Sequence, residues 1–340
     1  MHGAVWTPER FYAEYDVPEC MPRYRGQVQE FISRHKATGR KVVLITSGGT
    51  TVPLEQNMVR YMDNFSAGTR GAASAEYFLE AGYAVIFLSR QFSQFPYTRR
   101  YSHTTNPFFD ILQESKPCSS DIKVLHDHAP MLQPVLHAYH QALRSGLLLP
   151  ISFVTVVEYL FFLQMISKEL AVLGPHAMLY LAAAVSDFFI PRDRMAMHKI
   201  QSNNEALHVT LDPVPKVLSV LVQDWAPQAF VVSFKLETDP ALLVPKAEKS
   251  LQRYGHQLVI ANDLHKRKIE VLLIESTVRT ASQDGSPPFR HTWVRIPAEE
   301  SGAEHRDAAH SAEPGHEIEH DIVAALNRMQ NTWIECTATQ

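Results

Sequence analysis

Six short apolar runs without polar alternation, separated by stretches with helical spacing, predict an α/β fold. The expected form is a doubly wound, mostly parallel, Rossmann-like sheet with helices on both faces and right-handed crossovers. Two later runs, Lys268–Glu275 and Arg290–Pro297, read as an antiparallel extension at one edge.

In chain order, the expected strands are Lys41–Thr46 (KVVLIT), Ala84–Ser89 (AVIFLS), Ile151–Thr155 (ISFVT), Met178–Val185 (MLYLAAAV), Phe230–Phe234 (FVVSF) and Gln257–Ala261 (QLVIA). Ala72, Ala75, Phe78 and Leu79, with Gly82 following, mark one face of a helix ahead of Ala84. Helices are also expected over Val156–Leu173, Pro215–Val222, Pro240–Tyr254 and Glu317–Met329. Thr155-x-x-Glu158 is a capping box that starts the first of these. The apolar run Leu147–Ile166 contains Pro150, Glu158 and Gln164. A charge at a bilayer centre costs about 2.5–3.5 kcal/mol, so this run reads as a buried strand and helix in a soluble protein. The whole chain, 1–340, reads as one domain with two insertions. Residues 91–128 form a polar and aromatic loop, and 299–315 are too polar to bury anything and read as disordered.

Composition narrows the function. Of 340 residues, 45% are hydrophobic and 20% charged, enough for a sizeable core, and the formal net charge of −4 excludes a general nucleic-acid binder. Cys20, Cys118 and Cys336 are too scattered for a zinc site or a disulfide framework, which points to a reducing, cytoplasmic setting. Residues Met1–Cys20 carry no signal-peptide pattern. His126-x-His128 and His137-x-x-His140 lack a completing ligand and read as solvated, so no protein metal site is assigned.

The first strand runs into Gly48, Gly49 and Thr50, yet its helix starts only about twenty residues later. The string SGGTTVPLE fails the G-x-G-x-x-G dinucleotide fingerprint, and no phosphate loop of the G-x-x-x-x-G-K-[ST] type exists in the chain. Two turns remain that can present N–H groups to anions: Gly48–Thr50, and DNFSAGTRG at the helix start, with Asn64 between them. Spacing alone equally allows two tight turns that need glycine for a positive φ. A third segment, YLAAAVSDFFIPRDRMAMHKIQS, leaves a buried strand through small residues that let a ligand lie on the backbone. It then presents Asp187 and Lys199, which also suit a helix cap and a solvated charge. A fourth, VVSFKLETD, ends a strand with Phe234, Lys235 and Glu237, apt for stacking a base and holding phosphates.

Together these segments resemble phosphopantothenoylcysteine synthetase, the ligase of coenzyme A biosynthesis, in its monofunctional eukaryotic form. The resemblance rests on TSGGT, VPLE, DNFS, YLAAAVSDF, HKIQS, DWAP, SFKLETDP and AND, in that order. It is close over Lys41–Arg90 and Met178–Asp263 and holds elsewhere in layout. Bacterial relatives carry a flavin-dependent decarboxylase ahead of this part, for which the first forty residues are too short.

The resemblance implies that 4′-phosphopantothenate and L-cysteine are joined through an acyl-nucleotide, with release of nucleoside monophosphate and pyrophosphate. The eukaryotic branch is associated with ATP, the bacterial one with CTP, and Mg²⁺ and a lysine would offset the charge that grows in the transition state. By this likeness Lys199 meets the α-phosphate, and Asn64 holds the pantothenate carboxylate and then the acyl carbonyl. Ser66, Gly68 and Arg70 receive the pantothenate phosphate, and Gly48, Gly49 and Thr50 the triphosphate. Ala183, Ala184 and Asp187 line the intermediate and nucleotide, and Phe234 and Lys235 the base and phosphates. The family's second turn commonly reads Ser-Ser-Gly and a basic residue, whereas this chain has Ser66-Ala67-Gly68-Thr69, a departure that Arg70 or Arg60 would have to offset. Members are homodimers in which one subunit's loop covers the other's site, and residues 91–128 suit either such a cover or a long surface loop. The same ligation with CTP, a catalytically silent nucleotide-binding scaffold and an NAD(P)-dependent oxidoreductase are the competing readings; intact Asn64 and Lys199 oppose the second, and the failed fingerprint the third.

Overall fold

The computed structural model describes residues 5–101, 107–115, 121–202, 206–277, 288–296 and 316–338. The expected loop at 299–315 lies outside them, as does Cys118.

The chain begins with two helices that the sequence reading did not name. Thr7 caps α1 (Pro8–Glu14) by accepting from the Arg10 N–H, and α2 (Met21–Ala37) follows. The first strand, β1 (Val42–Ser47), is buried throughout. The gap before the next helix holds a hairpin, β2 (Thr51–Pro53) and β3 (Tyr61–Asp63), paired Thr51 to Asp63. Helix α3 (Thr69–Glu80) then leads into β4 (Ala84–Arg90).

The 91–128 segment is more than a loop. It contains single 3₁₀ turns and a small ladder, β5 (Leu112–Glu114) with β6 (Ile122–Val124). The buried Arg99 guanidinium fastens its start by donating to Glu76 at 2.8 Å and to Glu317 at 2.6 and 2.7 Å. An unexpected helix, α4 (Ala129–Arg144), follows with Pro134 inside it, and leads into β7 (Leu148–Phe153).

Thr155 and Glu158 close the expected capping box on α5 (Val156–Leu170). Strand β8 (Ala177–Leu181) is shorter than its apolar run, because the Ala182 N–H turns back to the Tyr180 carbonyl and breaks the ladder. A two-residue ladder joins β9 (Phe188–Phe189) and β10 (Asp212–Pro213). The helix expected over Pro215–Val222 is only α6 (Leu218–Val220), which widens into a π turn at Leu221–Trp225 where the Ala226 N–H reaches the Leu221 carbonyl. The rest follows the expected order: β11 (Phe230–Glu237), α7 (Pro240–Tyr254), β12 (Leu258–Asp263), β13 (Glu270–Ser276), β14 (Phe289–Arg295) and α8 (Ile318–Ala338).

Eight strands form one sheet in the order β14-β13-β12-β11-β8-β1-β4-β7. β7 through β12 pair in parallel, and β13 and β14 add the antiparallel edge. Phe31, Ile32, Phe162 and Ile166 of α2 and α5 cover one face, packed on Leu44 and Leu179. Phe78 and Ile322 of α3 and α8 cover the other, on Val43 and Tyr180. The winding starts at β1, runs out to β7, and returns through β8 toward β14. The strand order therefore reverses between β1 and β8, and the crevice at their carboxyl ends is where such sheets bind ligands. Among the described residues, no helix is long and apolar enough to cross a membrane.

Candidate active site

The β2–β3 hairpin explains the delayed helix. It carries the chain away from Thr50 and back, so that the Asn64 N–H donates to the Thr50 carbonyl at 3.1 Å. Gly49 is pressed against this returning strand: a Cβ there would lie 1.6 Å from the Asn64 carbonyl oxygen. Only glycine fits.

The segment after β8 forms the other wall. The Ala184 N–H donates to the Gly48 carbonyl at 2.8 Å, and the Thr50 N–H to the Ala184 carbonyl at 3.0 Å. The Ala183 N–H reaches Thr46 Oγ1 at 3.1 Å, and the Ser186 N–H reaches Thr50 Oγ1 at 2.9 Å. Gly48, Gly49, Thr50, Asn64, Ala183 and Ala184 thus meet at the switch point. One expectation changes: the Thr50 N–H is committed to Ala184, so Thr50 fastens the junction and does not offer that donor to an anion.

The second turn sits beside the first. Gly68 caps α3 with φ +80°, a left-handed conformation that suits glycine. Ser47 Oγ donates to the Gly68 carbonyl at 3.0 Å, and the Gln94 N–H to the Ala67 carbonyl at 2.8 Å. The Gly68 N–H points to Ser66 Oγ at 3.4 Å. The N–H groups of Thr69, Arg70 and Gly71 form the first turn, without intrahelical partners and at the positive end of the helix. The basic side chains expected to offset the lost serine and charge point elsewhere. Arg70 pairs with Glu319 at 2.9 Å and also donates to the Arg267 carbonyl. Arg60 pairs with Glu55 at 3.4 Å. Arg90, which the sequence reading did not single out, is ion-paired to Asp63, next to Asn64.

Lys199 is exposed on the loop Ala196–Ile200, which runs along the hairpin. The Gln56 N–H donates to the Ala196 carbonyl at 2.8 Å and the Asn57 N–H to the Met197 carbonyl at 3.1 Å. Asn64 and Lys199 are therefore carried by one hydrogen-bonded unit. The Arg60 N–H, donating at 2.9 Å, holds the buried Glu55 carboxyl below the usual carboxylate range.

Asp187 is exposed and accepts from Lys216 at 3.0 Å, while its carbonyl accepts from the Val214 N–H. The half-buried Phe234 packs edge-on to Tyr180 with ring centroids 4.9 Å apart. Lys235 lies 3.3 Å from Glu237, whose carboxyl is held low by Lys246 first and Lys235 second. Asn262, two residues beyond the register partner of Phe234 on the same sheet face, is buried with no hydrogen-bond partner for its Oδ1. It lies in the AND string, but burial of its side chain is a tertiary fact that spacing does not carry.

Among the described residues, one cluster has the donor types for a metal: His316, His320 and Asp321. It lies at the start of α8, where His320 packs edge-on to Tyr77 of α3. Asp321 accepts from both imidazoles, at 2.7 and 2.9 Å.

Comparison with known proteins places this geometry in context. Residues 38–103 and 150–290 match the family described as the DNA/pantothenate metabolism flavoprotein C-terminal domain. The human phosphopantothenate–cysteine ligase is 46% identical over 271 residues, 79% of this chain and 86% of that protein. The phosphopantothenate–cysteine ligase CAB2 of Saccharomyces cerevisiae is 40% identical over 356 residues, 98% of this chain and 88% of that one. A solved structure of a Cab2 point mutant in complex with phosphopantothenate-cysteine superposes with a TM-score of 0.83 at 39% identity, covering 97% of this chain and 99% of that one.

Proposed function

The chain belongs to the phosphopantothenate–cysteine ligase family, of the monofunctional eukaryotic type, and from this premise we propose how its junction of Gly49, Asn64 and Ala184 performs the ligation. The protein is a phosphopantothenate–cysteine ligase of coenzyme A biosynthesis. The co-substrate is ATP, and the reaction passes through an acyl-adenylate.

In the first half-reaction a carboxylate oxygen of 4′-phosphopantothenate attacks the α-phosphorus, and the bond to the β,γ-pyrophosphate breaks. Two anions approach each other, so the site must supply donors and positive charge. Gly48 and Gly49 offer backbone N–H groups to the triphosphate, while Thr50 holds the junction closed. The Lys199 ammonium meets the α-phosphate, where negative charge builds. The Asn64 amide donates to the carboxylate without the repulsion that a second carboxylate would bring. In the second half-reaction the cysteine amine attacks the acyl carbonyl, loses a proton, and AMP departs.

The phosphate of phosphopantothenate lies on the turn at Ser66, Gly68 and Arg70, held by N–H groups and the positive end of α3. Ala183 and Ala184 let the intermediate lie against the backbone. Phe234 and Lys235 take the base and phosphates. Mg²⁺ prefers one or two carboxylates plus substrate phosphates to an all-protein cage, and the exposed Asp187 carboxylate, on exchanging its Lys216 partner for the ion, would supply such a donor. Bound there, the ion would neutralise phosphate charge. Exposed Met58, Val59, Tyr61 and Phe65 around the hairpin support a homodimer with an interface beside the site.

The observation that carries the reading is the hydrogen-bonded junction that brings Gly48, Asn64 and Ala184 to the sheet's switch point. Turnover of the purified chain with phosphopantothenate, cysteine, and either ATP or CTP tests it. ATP should support ligation and CTP much less; a preference for CTP would overturn the choice of nucleotide, and no ligation with either would overturn the reading.

A further inference from the structure

We infer that Glu55 is a positioning residue that clasps the loop carrying Lys199, an inference that rests on the reading of Lys199 given above. Glu55 is fully buried, although it lies in a hairpin whose neighbouring residues Gln56 and Asn57 are exposed. A carboxylate is kept in such a place only if donors replace its water. Three do. Its Oε2 accepts from the Arg60 N–H at 2.9 Å, and its Oε1 lies 3.3 Å from the Ile200 N–H and 3.4 Å from Arg60 Nη1. Arg60 Nη1 in turn donates to the Ile200 carbonyl at 2.9 Å.

The ion pair therefore grips Ile200 at both its N–H and its carbonyl, and Ile200 directly follows Lys199. The grip is continued upstream, because Glu55 pairs with Ala196 as a parallel bridge and its neighbours Gln56 and Asn57 donate to Ala196 and Met197. Lys199 itself has an exposed, flexible side chain whose position depends on its backbone. Fixing residues 196 and 200 from a hairpin that leads into Asn64 sets Lys199 and Asn64 in one frame. A misplacement of about 1 Å costs on the order of a hundredfold in rate. A neutral amide in place of the carboxylate would lose the charge-assisted bonds and turn an N–H toward an N–H.

The test compares wild type, Glu55→Gln, Lys199→Ala and the double variant, with hydrogen exchange of the full chain read over residues 195–201. Glu55→Gln should raise exchange at Ile200 at least tenfold and lower kcat tenfold or more. KM for ATP should stay within about threefold. The double variant should be no slower than Lys199→Ala alone, since the clasp acts through that lysine. Glu55→Asp, one methylene shorter, should fall between wild type and Gln and serves if Gln fails to fold. Unchanged exchange over 195–201, or raised exchange with normal kcat, would overturn the clasp, as would losses that multiply in the double variant. Normal turnover of Lys199→Ala would overturn the role of that lysine, a result separate from the exchange readout at Ile200.

Discussion

The Gly49 Cα faces the backbone carbonyl of Asn64 so closely that an added methyl would sit 1.6 Å from its oxygen. The obstacle is backbone, which cannot swing aside as a side chain can. Gly49→Ala should therefore push the Asn64 strand off the junction and lower turnover at least a hundredfold. Gly26→Ala is the control, because it lies in α2 with nothing within 4 Å of the new methyl. It should leave kcat unchanged and stabilise by roughly 0.5–1 kcal/mol, the helix preference of alanine over glycine. Turnover and urea unfolding of both variants check this; an active Gly49→Ala enzyme would remove the junction from the site.

Lys199→Ala should lower kcat on the order of a hundredfold or more, about 2.7–4 kcal/mol, with a smaller effect on nucleotide affinity. The lysine is proposed to act on charge present in the transition state, so binding in the ground state should change little. Steady-state kinetics beside a direct nucleotide-binding measurement separate the two. Near-normal turnover would leave Lys199 as a surface charge.

At Asn64 the account predicts an order of severity. Asn64→Asp places a carboxylate against the substrate carboxylate in a half-buried site, where like charges cost more than in water. Asn64→Ala only removes a donor. Single-turnover formation of the acyl-nucleotide should therefore be slower in Asp than in Ala, and slower in both than in wild type. The reverse order would move the Asn64 side chain away from the substrate carboxylate.

The distal half of the sheet carries a pH dependence of its own. His256 is buried between β11 and β12, with its Nε2 2.7 Å from Ser233 Oγ, and burial lowers its pKa to about 4. An unfolded histidine titrates near 6.5, so between these values the unfolded chain binds a proton that the folded chain does not. Stability must then fall as pH drops from about 6.5 toward 4, by on the order of 3 kcal/mol from this group, and level off below. Urea unfolding of His256→Gln and wild type at a series of pH values should show a flatter profile for the variant in that window. Equal slopes would contradict the assignment.

Much of the sheet was legible, because burial on both faces leaves continuous apolar runs such as KVVLIT and AVIFLS. The β2–β3 hairpin was not, since three-residue strands carrying Pro53 offer no period to read. Helix α4 hides behind Pro130 and Pro134, and the run of alanines after β8 looks like strand until the Ala182 N–H is seen to turn back. At the site, the residue types in the turns were readable as possible anion donors. Their use was not. That Thr50 serves Ala184, that Arg70 serves Glu319, and that Glu55 serves Ile200 are contacts across long stretches of chain, set by how the layers pack.

The central claim is that this junction builds an acyl-adenylate, and pyrophosphate exchange tests it most directly. The purified chain is given ATP, Mg²⁺, labelled pyrophosphate and 4′-phosphopantothenate, with cysteine left out. The account predicts that label enters ATP only when phosphopantothenate is present, and that full turnover after cysteine is added releases AMP and pyrophosphate in equal amounts. Release of ADP and inorganic phosphate would mean that the bond between the β- and γ-phosphates is the one cleaved, and would contradict the account.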